Sequence, residues 1–102
     1  MSVVILTKFQ VDASVLEELA AGKYNDTLMR LAETGRSIGA IHHRFVQDPD
    51  GSLLAIDEWE SEEAYRQFFG GQAEIKTLLE EAGVKAPPTT TVYRIADIPD
   101  GF

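Results

Sequence analysis

The apolar positions of this chain change period several times along its length. From Val3 to Gln10 they are β-branched at first and then alternate, the pattern of a strand with one buried face. Leu16, Ala20, Tyr24, Leu28, Leu31, Gly35 and Ile38 then recur every three or four residues and predict one face of a long helix. Asp12 or Ser14 can cap its start, Gly22 permits a local break, and Gly39 is its stop. Ile41–Val46 and Ser52–Trp59 read as two strands joined by Asp48-Pro49-Asp50-Gly51, where proline and glycine supply the dihedrals of a hairpin turn. Ser61 followed by Glu62 and Glu63 marks the capped start of a second helix. That helix is expected to break at Gly70-Gly71, resume near Gln72 with Ile75, Leu78, Leu79 and Ala82 on one face, and end at Gly83. Pro87-Pro88 leads into a last strand, Thr89–Ile95.

The order βαββαβ predicts an α+β, ferredoxin-like domain spanning residues 1–102. Its four-stranded antiparallel sheet has order 4-1-3-2, with two helices on one face. Strands one to three carry too much apolar surface to leave the other face in water. A second copy is the economical cover, so a homodimer through the sheet face is expected.

Composition narrows the partners. Seventeen acidic against nine basic residues give a formal charge of −8, which disfavours nucleic acid and anionic membrane surfaces. The absence of cysteine removes disulfides, thiolate nucleophiles and thiolate metal sites. No apolar run approaches the roughly 20 residues of a membrane helix, and the amino-terminal run lacks a signal peptide's basic leader. A cytoplasmic location is therefore expected.

The element order, together with Trp59-Glu60-Ser61-Glu62-Glu63-Ala64-Tyr65, is similar to the dimeric α/β-barrel superfamily, and specifically to its antibiotic-biosynthesis-monooxygenase-like group. The resemblance covers nearly the whole chain. It implies a dimeric α/β barrel and, among the group's activities, a cofactor-independent monooxygenase acting on a small aromatic or polyketide-like substrate, with no cofactor required. The alternative is a non-catalytic homodimeric module that binds a small apolar ligand or serves in assembly. The haem-degrading branch of the group pairs a strand-one asparagine with a tryptophan and a histidine on the second helix. Thr7 and Lys8 stand in place of that asparagine, which several catalytic relatives also carry. The helix Glu62–Ala82 has neither aromatic partner, with Phe68 and Leu78 near those places, so haem degradation is not implied.

Candidate chemistry lies in the hairpin, which holds both histidines and the single tryptophan. A histidine beside a carboxylate is an oriented general base, so His42, His43 and Asp57 are the candidate catalytic residues. A four-residue loop would set Gln47 against Ser52, His42 against Asp57 and Arg44 against Ala55. His42, Arg44, Asp57, Val46, Leu53 and Trp59 would then share a face. Ile41, His43, Phe45, Leu54, Ile56 and Glu58 would hold the other. A register moved by one residue pairs His43 with Asp57, read as lying on opposite faces unless a bulge intervenes. Trp59, Phe9 and Tyr93 are expected to wall an apolar ligand site, with Thr7 and Arg44 as polar contacts. Adjacent strand residues point to opposite faces, so His42 and His43 do not chelate one ion, and no metal is expected. Tyr65, Phe68 and Phe69 read as core.

Overall fold

The computed structural model describes residues 2–102. Its elements are β1 (Val3–Asp12), α1 (Ala13–Ala21), α2 (Asn25–Ile38), β2 (Ala40–Gln47), β3 (Ser52–Trp59), α3 (Glu62–Gly71), α4 (Ala73–Ala82) and β4 (Thr89–Arg94). The strands form one antiparallel sheet of order β2-β3-β1-β4, the predicted ferredoxin-like arrangement.

Each predicted helix is split in two. The first breaks at Gly22, whose backbone leaves the helical region at φ −113°, ψ −124°. The Tyr24 N–H then donates to Leu19 O, and α2 restarts at Asn25. The second helix keeps its expected cap, with Ser61 Oγ accepting from the Ala64 N–H at 3.1 Å and Glu62 and Glu63 in the first turn. Its interruption falls at Gln72 rather than at Gly70-Gly71. Both glycines stay helical, while Gln72 is extended at φ −108°, ψ 99°. Gly83 ends α4 in the left-handed conformation, φ 88°.

All four helical segments cover one face of the sheet. Phe9, Leu53 and Ala55 pack with Ala13, Leu16 and Leu78. Ile5 and Trp59 pack with Tyr65 and Phe68. The other face carries Val4, Leu6, Leu54, Ile56 and Tyr93, which register with one another across β1, β3 and β4. Among the described residues no element covers them, and Ile56 and Tyr93 are exposed.

The hairpin corrects the expected register. Asp48 N–H donates to Ser52 O, Gly51 N–H donates to Asp48 O, and Gly51 sits at φ 92°. The loop is therefore three residues, Pro49-Asp50-Gly51, a tight turn followed by a left-handed glycine. An odd loop moves every pair by one position. Gln47 faces Leu53, Phe45 faces Ala55, His43 faces Asp57 and His42 faces Glu58. Directly paired residues share a face, so His43 and Asp57 need no bulge to meet. A register irregularity does occur in β2, but between Ala40 and His42.

Candidate functional site

The helices sit over β1 and β3 and leave the edge strand β2 partly open. Between them lies a cleft of about 360 Å³, within the size range of small-molecule sites. Its floor is Thr7, Phe9, Ala55, Asp57 and Trp59; its roof comes from α2, α3 and α4; His43 and Phe45 form the open side. Small residues make the space. At Gly35 an added Cβ would lie 3.6 Å from both Trp59 Cη2 and Phe68 Cε1, so α2 already lies against the indole without filling the cleft.

Asp57 is the centre of the polar wall. It is 8% exposed, and both its oxygens are used. Oδ1 lies 2.6 Å from His43 Nδ1, and Oδ2 accepts from Trp59 Nε1 at 3.2 Å. An ionised carboxylate only accepts, so in the neutral-imidazole form of this pair Nδ1–H donates to Asp57 and Nε2 keeps the lone pair. Among the described residues Nε2 has no hydrogen-bond partner. The His43 side chain is 43% exposed, and its ring meets Phe45 edge-on at 4.7 Å. The carboxylate is thus dry and fixed while the imidazole reaches the opening.

A second polar pair lies deeper. Thr7 Oγ1 and the Tyr65 hydroxyl are 3.0 Å apart, and both residues are buried. Trp59 stacks edge-to-face on Tyr65 at 5.8 Å and lies tilted against Phe68 at 5.3 Å. Phe69 lies against Tyr65 at 5.7 Å, which completes an aromatic wall. Among the described residues, no buried side-chain nitrogen or oxygen lacks a partner.

Of the residues singled out from sequence, Thr7, Phe9, His43, Asp57 and Trp59 meet in this cleft. Arg44 and Tyr93 do not. Arg44 pairs with Ile56 and Tyr93 with Val4, which places both on the uncovered face; the three-residue loop accounts for Arg44. His42 does not face Asp57; it pairs with Glu58 and only borders the cleft mouth next to the β2 irregularity. Tyr65 was expected to be core alone, yet its hydroxyl reaches a strand-one polar side chain. The signal available was a threonine at an inward position of an otherwise apolar strand, which requires a buried partner. Among the described residues no three His, Cys, Asp or Glu side chains cluster as a metal site.

The sequence matches no family model and no curated protein. Its structure is similar to that of Rv0793 from Mycobacterium tuberculosis, with TM-score 0.63 and 17% identity over 98% of this chain and 100% of that one. It is also similar to SnoaB, a cofactor-independent oxygenase from Streptomyces nogalater, in a mutant form, with TM-score 0.61 and 16% identity over 98% of each chain. The ActVA-Orf6 monooxygenase of Streptomyces coelicolor, solved with nanaomycin D, gives TM-score 0.55 and 25% identity over 97% of this chain and 91% of that one. With its strand order, its helix-covered face and these likenesses together, the chain has the ferredoxin-like α+β fold of the antibiotic biosynthesis monooxygenases.

Proposed function

We propose that this protein is a homodimeric, cofactor-independent monooxygenase of small aromatic or polyketide-like phenols, with His43 as general base. The observation that carries the reading is the 2.6 Å contact between His43 Nδ1 and the buried Asp57 on the wall of an aromatic cleft. Asp57 fixes the tautomer that leaves Nε2 able to take a proton. Trp59 holds Asp57 in place through its indole N–H, and Thr7, Phe9 and Tyr65 position a flat substrate.

The chemistry needs only substrate and dioxygen. A phenol gives its O–H proton to Nε2, and the electron-rich ring carbon passes one electron to O₂. The radical pair joins as a carbon–oxygen bond to give a peroxide. Cleavage of the O–O bond with loss of the adjacent C–H hydrogen leaves a carbonyl and releases water. One oxygen atom stays in the product; the other leaves as water with two hydrogens from the substrate. Two neighbours in fold, SnoaB and ActVA-Orf6, are described as a cofactor-independent oxygenase and a monooxygenase, which supports this reaction class.

Apolar residues on the second sheet face, with Ile56 and Tyr93 exposed and Val4, Leu6 and Leu54 half-buried, support the dimer. Val4, Leu6, Leu54, Ile56 and Tyr93 form a contiguous surface that a second copy would cover. The net charge and the lack of a helix long and apolar enough to cross a membrane, among the described residues, fit a cytoplasmic enzyme that acts away from nucleic acid and lipid.

The test is oxygen uptake by chelator-treated protein against a panel of hydroquinones and polyphenols. The expected result is one O₂ consumed per quinone formed, with one oxygen atom gained by the product and no hydrogen peroxide released, undiminished by chelation. Absence of uptake with every phenol, alongside tight binding of the same compounds, would leave the non-catalytic ligand-binding module in its place.

A further inference from the structure

Apart from the His43–Asp57 pair, the cleft contains one charged group with nothing opposite it. Arg36, in the last turn of α2, lines the cleft beside Gly35 and across from the β2 edge. It is the only lysine or arginine on that wall among the described residues. The ion pairs of the described residues involve Lys8, Lys23, Arg30, His43 and Arg66, and none involves Arg36. In a chain with seventeen acidic residues, an arginine left unpaired at the rim of an apolar cleft is available to a ligand. His43 and Trp59 occupy both oxygens of Asp57, so its carboxylate offers that ligand no contact, and the attraction of Arg36 has to outweigh its repulsion.

We infer that the cleft selects ligands carrying a carboxylate, held by Arg36 at the mouth while the aromatic body lies against Trp59, Tyr65 and Phe68. Resting on the phenol-binding reading above, this narrows the substrate class to aromatic acids. A guanidinium offers a planar fork of donors that matches a carboxylate, and such charge-assisted bonds are about twice as strong as neutral ones. The overall charge of −8 repels anions at long range, so the preference must arise from this short-range contact and not from steering. The competing account is that Arg36 only complements the carbonyl end of α2. That account predicts no preference between an acid and its amide.

The single tryptophan lies in the cleft, so its fluorescence reports binding directly. The probes are a hydroxynaphthoate and its uncharged carboxamide, titrated into the wild type, Arg36→Gln and His42→Gln. The expected result is an acid bound about tenfold tighter than the amide by the wild type, as one charge-assisted contact allows. Arg36→Gln should abolish that ratio by weakening the acid alone, and His42→Gln should keep it. An equal affinity for acid and amide in the wild type, a ratio retained in Arg36→Gln, or an equal loss in His42→Gln would each overturn the assignment. Arg36 is exposed, so the glutamine variant should fold; far-ultraviolet circular dichroism checks that. Oxygen uptake is measured in parallel. Turnover without acid preference removes the role of Arg36 only, whereas acid preference without turnover removes the oxygenase reading only.

Discussion

Asp57 holds two neighbours at once, and that double duty sets what its replacements should do. Asp57→Asn preserves size but can present an N–H to His43, which favours the wrong tautomer. The expected outcome is a rate reduced by a factor of roughly a hundred or more with little loss of fold, read from steady-state oxygen uptake. Asp57→Ala also strands the buried Trp59 N–H, a loss of about 1–3 kcal/mol that chemical denaturation would register. Tyr65→Phe should cost about 1–2 kcal/mol, because the hydroxyl of Thr7, 1% exposed, loses its partner. No change in the denaturation midpoint for Tyr65→Phe would mean that water replaces that contact. Much of this constellation was legible in the sequence: Thr7, Phe9, Asp57 and Trp59 all stood at inward strand positions. The choice between the two histidines was not, because it turns on whether Asp48 counts as strand or loop. Tyr65 was masked by its apolar spacing with Phe68 and Phe69, which looks the same whether or not a hydroxyl is used.

The hairpin is the element on which the site depends. Lys8 reaches across from β1 to Asp48 at 2.7 Å and to Asp50 at 2.9 Å, and Asp50 also accepts from the Ser52 N–H. The hydrogen bond from Lys8 and those from Ser52 bring the Asp50 carboxyl down to about 2, and the same pairs raise Lys8 above its ordinary range, the Asp48 contact first. A carboxyl depressed on folding stabilises the native state above its unfolded pKa of about 3.9. That contribution fades as pH falls from about 4 toward 2. Acid unfolding of the wild type should therefore steepen in this window, and Lys8→Met should flatten it. Identical profiles would show that the exposed pairs add nothing measurable. Gly51 is the other control point, since at φ 92° any side chain is strained. Gly51→Ala should cost about 1 kcal/mol or more and, by loosening the register, lower activity as well. The break at Gln72 shows the limit of reading helices from composition. Two successive glycines stayed helical with open space around them, and the chain turned one residue later.

At the scale of the whole molecule, one face of the sheet is finished and the other is not. The helices dry Ile5, Phe9, Leu53 and Trp59, while Ile56 and Tyr93 remain in water in a single copy. Ile56→Asp should hold the chain monomeric at micromolar concentration while the wild type sediments as a dimer, and a monomeric wild type would contradict the proposed assembly. The element order and strand order were readable because alternation, turn residues and caps all pointed the same way. Function was less so, since the fold hosts many activities and the distinguishing geometry rests on one loop residue. The most direct measurement compares His43→Ala with His42→Ala in oxygen uptake on one turned-over phenol. The expected result is a fall of about 10²–10⁴-fold for His43→Ala and near wild-type uptake for His42→Ala. Equal losses, or a loss confined to His42→Ala, would contradict the pairing of His43 with Asp57 as the catalytic base.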